Sequence, residues 1–107
     1  MQRIKQIDKR IEKIKRELEQ IHEMRPGSIS LQYRDAETKS YPYHQLNWVA
    51  GAKKQSEYVS RKNLKTVTRQ TENYKYFKVL CAEWVELGIE RSKLSIKLER
   101  ELQKSAS

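Results

Sequence analysis

Residues 2–27 read QRIKQIDKRIEKIKRELEQIHEMRPG, and the spacing of their large aliphatic residues governs the reading of the whole chain. Ile4, Ile7, Ile11, Ile14, Leu18 and Ile21 recur at steps of three and four without a miss. That is a narrow a/d seam, the pattern of a helix that mates with another helix rather than with a broad globular face. Glu12 and Arg16, Lys13 and Glu17, and Lys15 and Glu19 stand four apart and can pair along the surface, for about 0.2–0.5 kcal/mol each. Pro26-Gly27 predicts the end of this helix at Arg25, because proline disfavours the helical conformation in the residue before it and glycine accepts the turn that follows.

Beyond Gly27 the period changes. Ile29, Leu31 and Tyr33 alternate with Ser30, Gln32 and Arg34, which predicts a half-buried strand. Asp35 to Ser40 reads as a polar turn. His44, Leu46 and Trp48 alternate with Tyr43, Gln45, Asn47 and Val49 as a second strand, which Pro42 opens where its missing N–H does least harm. Ala50-Gly51-Ala52 is a turn, and Gln55 to Ser60 can return as a third strand. From Arg61 to about Gln103 the helical period resumes, with Ser60 or Asn63 available as a cap and a break expected near Asn73. Leu64, Val67, Thr71 and Tyr74 form one stripe, and Phe77, Leu80, Trp84, Leu87, Leu94 and Leu98 a second, displaced one. The displacement suits a helix whose first part covers a sheet and whose second part faces another helix. Lys104 to Ser107 reads as a tail.

A meander of three short strands needs a helix packed on one face, and two one-sided helices cannot stand alone in water. The expected architecture is therefore an α+β fold, mainly α. Its N- and C-terminal helices pair as an antiparallel coiled-coil stalk, and a three-stranded antiparallel meander (28–60) is inserted at one end. Arg91 falls on the expected seam, where it can pair with a glutamate of the first helix and set the register. Trp48 and Trp84 read as core anchors. The seam leaves room for a homodimer or a four-helix arrangement.

Composition agrees. The 107 residues suit a single domain, and 36% apolar against 35% charged residues suits long solvated helices better than a deep core able to enclose an active site. Cys81 stands alone, so no intrachain disulfide can form, and a reducing, cytoplasmic setting is expected. Neither a signal region nor a membrane-spanning run is present in the sequence. His22, which reads as lying at a helix end, and His44, on a strand, do not share a metal-ligand or nucleophile spacing with Cys81, and Gly27, Gly51 and Gly88 are too far apart for a phosphate loop. We read no enzyme, cofactor or metal site here.

The net charge of +9 points to an anionic partner, DNA or RNA before an acidic lipid surface. It is concentrated in residues 26–75, which carry nine basic and four acidic residues. Arg61, Lys65 and Arg69 stand four apart with Lys62 beside them. Lys53 and Lys54 fall near one hairpin turn, Arg34 and Lys39 near the other. Tyr41 and Tyr43 share a strand face opposite Leu46 and Trp48. These ten residues are the candidate nucleic-acid contacts, cations for phosphates and tyrosines for bases. The same cations also suit a plain solvated face, and the tyrosines a small core.

The runs Met24-Arg25-Pro26-Gly27-Ser28-Ile29-Ser30-Leu31-Gln32-Tyr33, Tyr43-His44-Gln45-Leu46-Asn47-Trp48 and Asn63-Leu64 through Arg69-Gln70-Thr71-Glu72-Asn73-Tyr74-Lys75-Tyr76-Phe77 resemble an uncharacterised prokaryotic and viral domain family. The resemblance covers roughly residues 20 to 95 and implies that the strands and the following helix form one unit. Many relatives carry a longer, cysteine-containing loop between the first two strands. Here that loop is Arg34 to Ser40 and holds no cysteine, so no metal site carries over. The family has no established activity, but its association with mobile elements and viruses implies a nucleic-acid partner. Two functions follow as expectations. One is a small basic nucleic-acid-binding accessory protein of a mobile element or virus. The other is a coiled-coil adaptor or inhibitor that uses the Ile4–Ile21 seam on a larger protein complex.

Overall fold

The N-terminal seam from Ile4 to Leu18 becomes α1, Gln2–Glu19, with Ile21 just beyond it, in the computed structural model, which describes residues 2–106. Three strands follow, β1 (Ser28–Asp35), β2 (Ser40–Ala50) and β3 (Lys53–Val59), and then one unbroken helix, α2 (Leu64–Ala106). The chain is mainly helical with an antiparallel sheet between the helices in sequence, as the periodicities predict. Its described residues gather into two compact units: residues 2–21 with 77–106, and residues 22–76. The helix α2 contributes a segment to each. No helix among the described residues is long and apolar enough to cross a membrane.

In the helical unit, Ile7, Ile14 and Leu80 are buried, and Ile4, Ile11, Leu18 and Ile21 are half-buried. Ion pairs show that α1 and α2 run antiparallel. Arg3 bonds Glu90 through two N–H groups at 2.6 and 2.8 Å, and Arg10 bonds Glu83 in the same two-pronged way. Arg91 sits on the seam as expected, but its partner is an aspartate, Asp8, at 2.6 Å. Trp84 is half-buried rather than fully enclosed, and Lys15 covers its ring, with the ammonium 5.6 Å from the centroid.

These pairs make the helical unit acid-sensitive. Hydrogen bonds from Arg91, Arg10 and Arg3 hold the carboxyls of Asp8, Glu83 and Glu90 respectively below their usual range. A carboxylate with a lowered folded-state pKa contributes stability above its unfolded pKa and loses it as pH falls through the folded value. The melting temperature followed by circular dichroism is therefore expected to hold from neutral pH to about 5 and to drop below about pH 4. A melting temperature that does not fall on acidification would contradict these pairs.

The second unit is built on the sheet, ordered β1-β2-β3. Pairings Ile29↔Leu46↔Glu57 and Leu31↔His44↔Val59 place the apolar positions on one face. There Leu46 and Val59 are buried with Val67 of α2, and Ile29, Trp48 and Leu64 pack around them. Gly51 is the first residue of a two-residue turn joining Ala50 to its partner Lys53, and its φ of +65° is the conformation such a turn demands there. The first turn is held by the Asp35 carboxylate, which accepts N–H bonds from Glu37 and Thr38 at 3.2 and 3.3 Å. Asn63 opens α2, its carbonyl accepting the Val67 N–H at 2.9 Å, and the buried Thr71 hydroxyl donates to the Thr68 carbonyl at 2.9 Å.

β2 and β3 each begin two residues earlier than expected, at Ser40 and Lys53, and three helix boundaries also differ from expectation. The first helix stops at Glu19, six residues before the position that Pro26 predicts, and His22 accordingly lies outside it. The reason is tertiary: residues 23–25 are strapped to α2 and the sheet. The Glu23 carbonyl accepts from Asn73 Nδ2 at 2.8 Å, and its carboxylate accepts from Arg69 at 3.1 Å. Arg25 donates its backbone N–H to the Gln70 carbonyl at 3.0 Å, and its guanidinium bonds Glu57 at 2.6 Å and lies 5.1 Å from the centre of the half-buried Trp48 ring. Helix α2 begins at Leu64 rather than Arg61 and is not broken near Asn73, whose side chain instead anchors the strap. Lys104 to Ala106 continue α2 rather than forming a tail, and Ser107 lies outside the described residues.

Candidate nucleic-acid interface

The face of the sheet opposite Leu46 carries Ser28, Ser30, Gln32 and Arg34 from β1, Tyr41, Tyr43, Gln45, Asn47 and Val49 from β2, and Lys54, Ser56 and Tyr58 from β3. No strand position on this face is acidic. Two nearby carboxylates are engaged elsewhere, Asp35 in the first turn and Glu57 with Arg25 on the opposite face, and Glu37 lies in the first turn rather than on a strand. Polar side chains across the strands are linked into one network. Gln45 donates to Asn47 at 2.7 Å, Asn47 donates to the Ser30 hydroxyl at 2.9 Å, and Gln32 donates to the same hydroxyl at 3.0 Å. Beside the network the Tyr43 and Tyr58 rings lie 6.3 Å apart and are inclined by 38°. Tyr41 and Tyr58 are 72% and 64% exposed, far too open for core residues.

The ten expected contacts do not form one cluster. Lys54 pairs with Val49 at one end of the sheet, whereas Tyr41 and Arg34 lie toward the other. Val49 lies eight residue steps along β2 from Tyr41, roughly 26 Å at strand rise. Lys53 sits in register on the Leu46 face, opposite in facing to Lys54. Arg61 and Lys62 belong to the turn before α2, so the expected helical stripe of Arg61, Lys65 and Arg69 does not form. Arg69 is also committed to Glu23. The structure does unite Tyr43, Tyr58, Arg61 and Lys62, which line one open groove with His44 and Pro42. Lys39 and Tyr41 have positive φ, 54° and 60°, a conformation costly for non-glycine residues, and the latter turns its ring outward beside this end of the sheet.

Tyr58 is not among the ten expected contacts, and the strand register brings it to this face. The two-residue turn at Gly51-Ala52 fixes the β2–β3 register, and that register places Tyr58 opposite Gln45 on the tyrosine face. The fold and this surface together define a small basic helix–sheet–helix protein whose open sheet face bears tyrosines and no carboxylate. Compared with family models, curated proteins and solved structures, the chain matches none.

Proposed function

We propose that this chain binds nucleic acid, with single strands laid on the tyrosine face of the sheet. The observation that carries the reading is that this exposed face combines three tyrosines with cations and no acidic strand residue. Bases stack on aromatic rings whatever their identity, and phosphates need nearby cations. Arg61 and Lys62 stand beside the Tyr43–Tyr58 pair, Arg34 and Lys39 beside Tyr41, and Lys54 at the far end. Side-chain amides of Gln32, Gln45 and Asn47 lie between them with donors and acceptors suited to base edges. An adaptor function through the isoleucine seam has less support, since Ile7 and Ile14 are already covered within the chain.

Fluorescence anisotropy with a labelled single strand and a duplex, each at two salt concentrations, tests the reading. Single-strand binding is expected to be tighter and to weaken steeply with salt. Tyr43→Ala and Tyr58→Ala should each cost about 1–3 kcal/mol per stacked base, roughly 5- to 150-fold in affinity. Joint Arg61→Glu and Lys62→Glu substitution should weaken binding to all sequences alike and flatten its salt dependence. No binding at low salt ends the idea.

A further inference from the structure

The half of α2 in the helical unit carries a second seam. Ala82, Val85, Ile89, Ser92 and Ile96 are spaced 3, 4, 3 and 4, the same a/d pattern as α1. At 3.6 residues per turn they fall on the side of α2 turned away from Leu80, Leu87 and Leu94, which face α1. Val85, Ile89 and Ile96 are 62%, 53% and 47% exposed, so the chain itself leaves this seam uncovered. A helix that only had to meet α1 would place polar residues there.

We infer that this stripe docks a second copy of the same chain, with the two α2 helices antiparallel. The flanking residues select that arrangement. In heptad terms Glu86 and Lys93 occupy successive e positions, and Gly88 and Ser95 the g positions. In an antiparallel pair e positions meet e positions. When Val85 packs on the partner's Ile96 and Ile89 on the partner's Ser92, Glu86 of each chain meets the partner's Lys93, twice by symmetry. Sliding by one heptad in one direction sets Glu86 against the partner's Glu86, and like charges repel; sliding the other way sets Ile89 of the seam against the partner's Glu99, a charge in an apolar layer. A parallel pair would oppose e to g, where Gly88 and Ser95 offer no charge. The small g residues also let the helices approach closely. The contact is symmetric and closed, as a two-fold dimer requires.

Sedimentation equilibrium of the intact chain across the micromolar range tests this independently of nucleic-acid binding. The wild-type chain is expected to shift from monomer to twice the mass with concentration. Ile89→Asp should leave it monomeric with an unchanged helical circular-dichroism signal, because the position is exposed in the monomer. Glu86→Lys alone should weaken dimerisation, and adding Lys93→Glu should restore it. A wild-type chain that remains monomeric throughout overturns the proposal. So does a dimer indifferent to Ile89→Asp, or one that the single charge change does not weaken.

Discussion

Replacing Ile14 with alanine is expected to lower the free energy of unfolding by about 2–5 kcal/mol, the usual cost of emptying a core aliphatic site. Ile14 has no exposed surface and is flanked on the α1–α2 seam by the Arg10–Glu83 pair and by Lys15 over Trp84. Those long side chains are held by their own partners and cannot swing in to fill the space, so the cavity should persist. Against a typical total of about 5–15 kcal/mol the loss is large. The neighbouring seam residue Ile11 is only half-buried, and Ile11→Ala should cost clearly less. Urea denaturation followed by circular dichroism reads both. An Ile14→Ala midpoint equal to that of Ile11→Ala would mean that the seam is not packed as described.

Gly27→Val should be comparably damaging for a different reason. Gly27 has φ of +129°, where a β-branched residue is strained. A Cβ there would stand 2.7 Å from the Asn47 carbonyl oxygen and 2.9 Å from Leu46 Cδ1. The first contact is backbone and cannot rotate away, and the second is with the most buried side chain of the sheet core. Strain and overpacking together should cost about 2–6 kcal/mol. By contrast Gly88 has open space around its Cβ position, and Gly88→Ala should stabilise α2 by up to about 1 kcal/mol. A thermal melt of Gly27→Val matching wild type would rule out the close approach of this glycine to β2.

The role of Gly27 illustrates where legibility ended. Pro26-Gly27 reads from sequence as a helix stop, yet the helix ends at Glu19 and the glycine serves to pass close to β2. The stop is set by the strap of Glu23 and Arg25 against Gln70, Asn73, Glu57 and Trp48, residues far away in sequence, up to 50 positions in the case of Asn73. The stripe of Arg61, Lys65 and Arg69 requires a helix from Arg61, but α2 begins only at Leu64, because Ser60 to Asn63 form a turn first. Tyr58 needed the strand register to be assigned a face.

What the chain's own pattern determined is the set of elements. A period near 3.5 in residues 4–21, a period of two across the strands, and a turn around Gly51 each follow from local side-chain placement and backbone freedom, and they need no distant partner to be read. What only the tertiary structure decided is which faces end up covered. The α1 seam is covered by α2, and one sheet face by Leu64 and Val67. The tyrosine face and the Val85–Ile96 stripe stay open, because burial depends on what the rest of the chain brings alongside, and periodicity says only that a face is apolar.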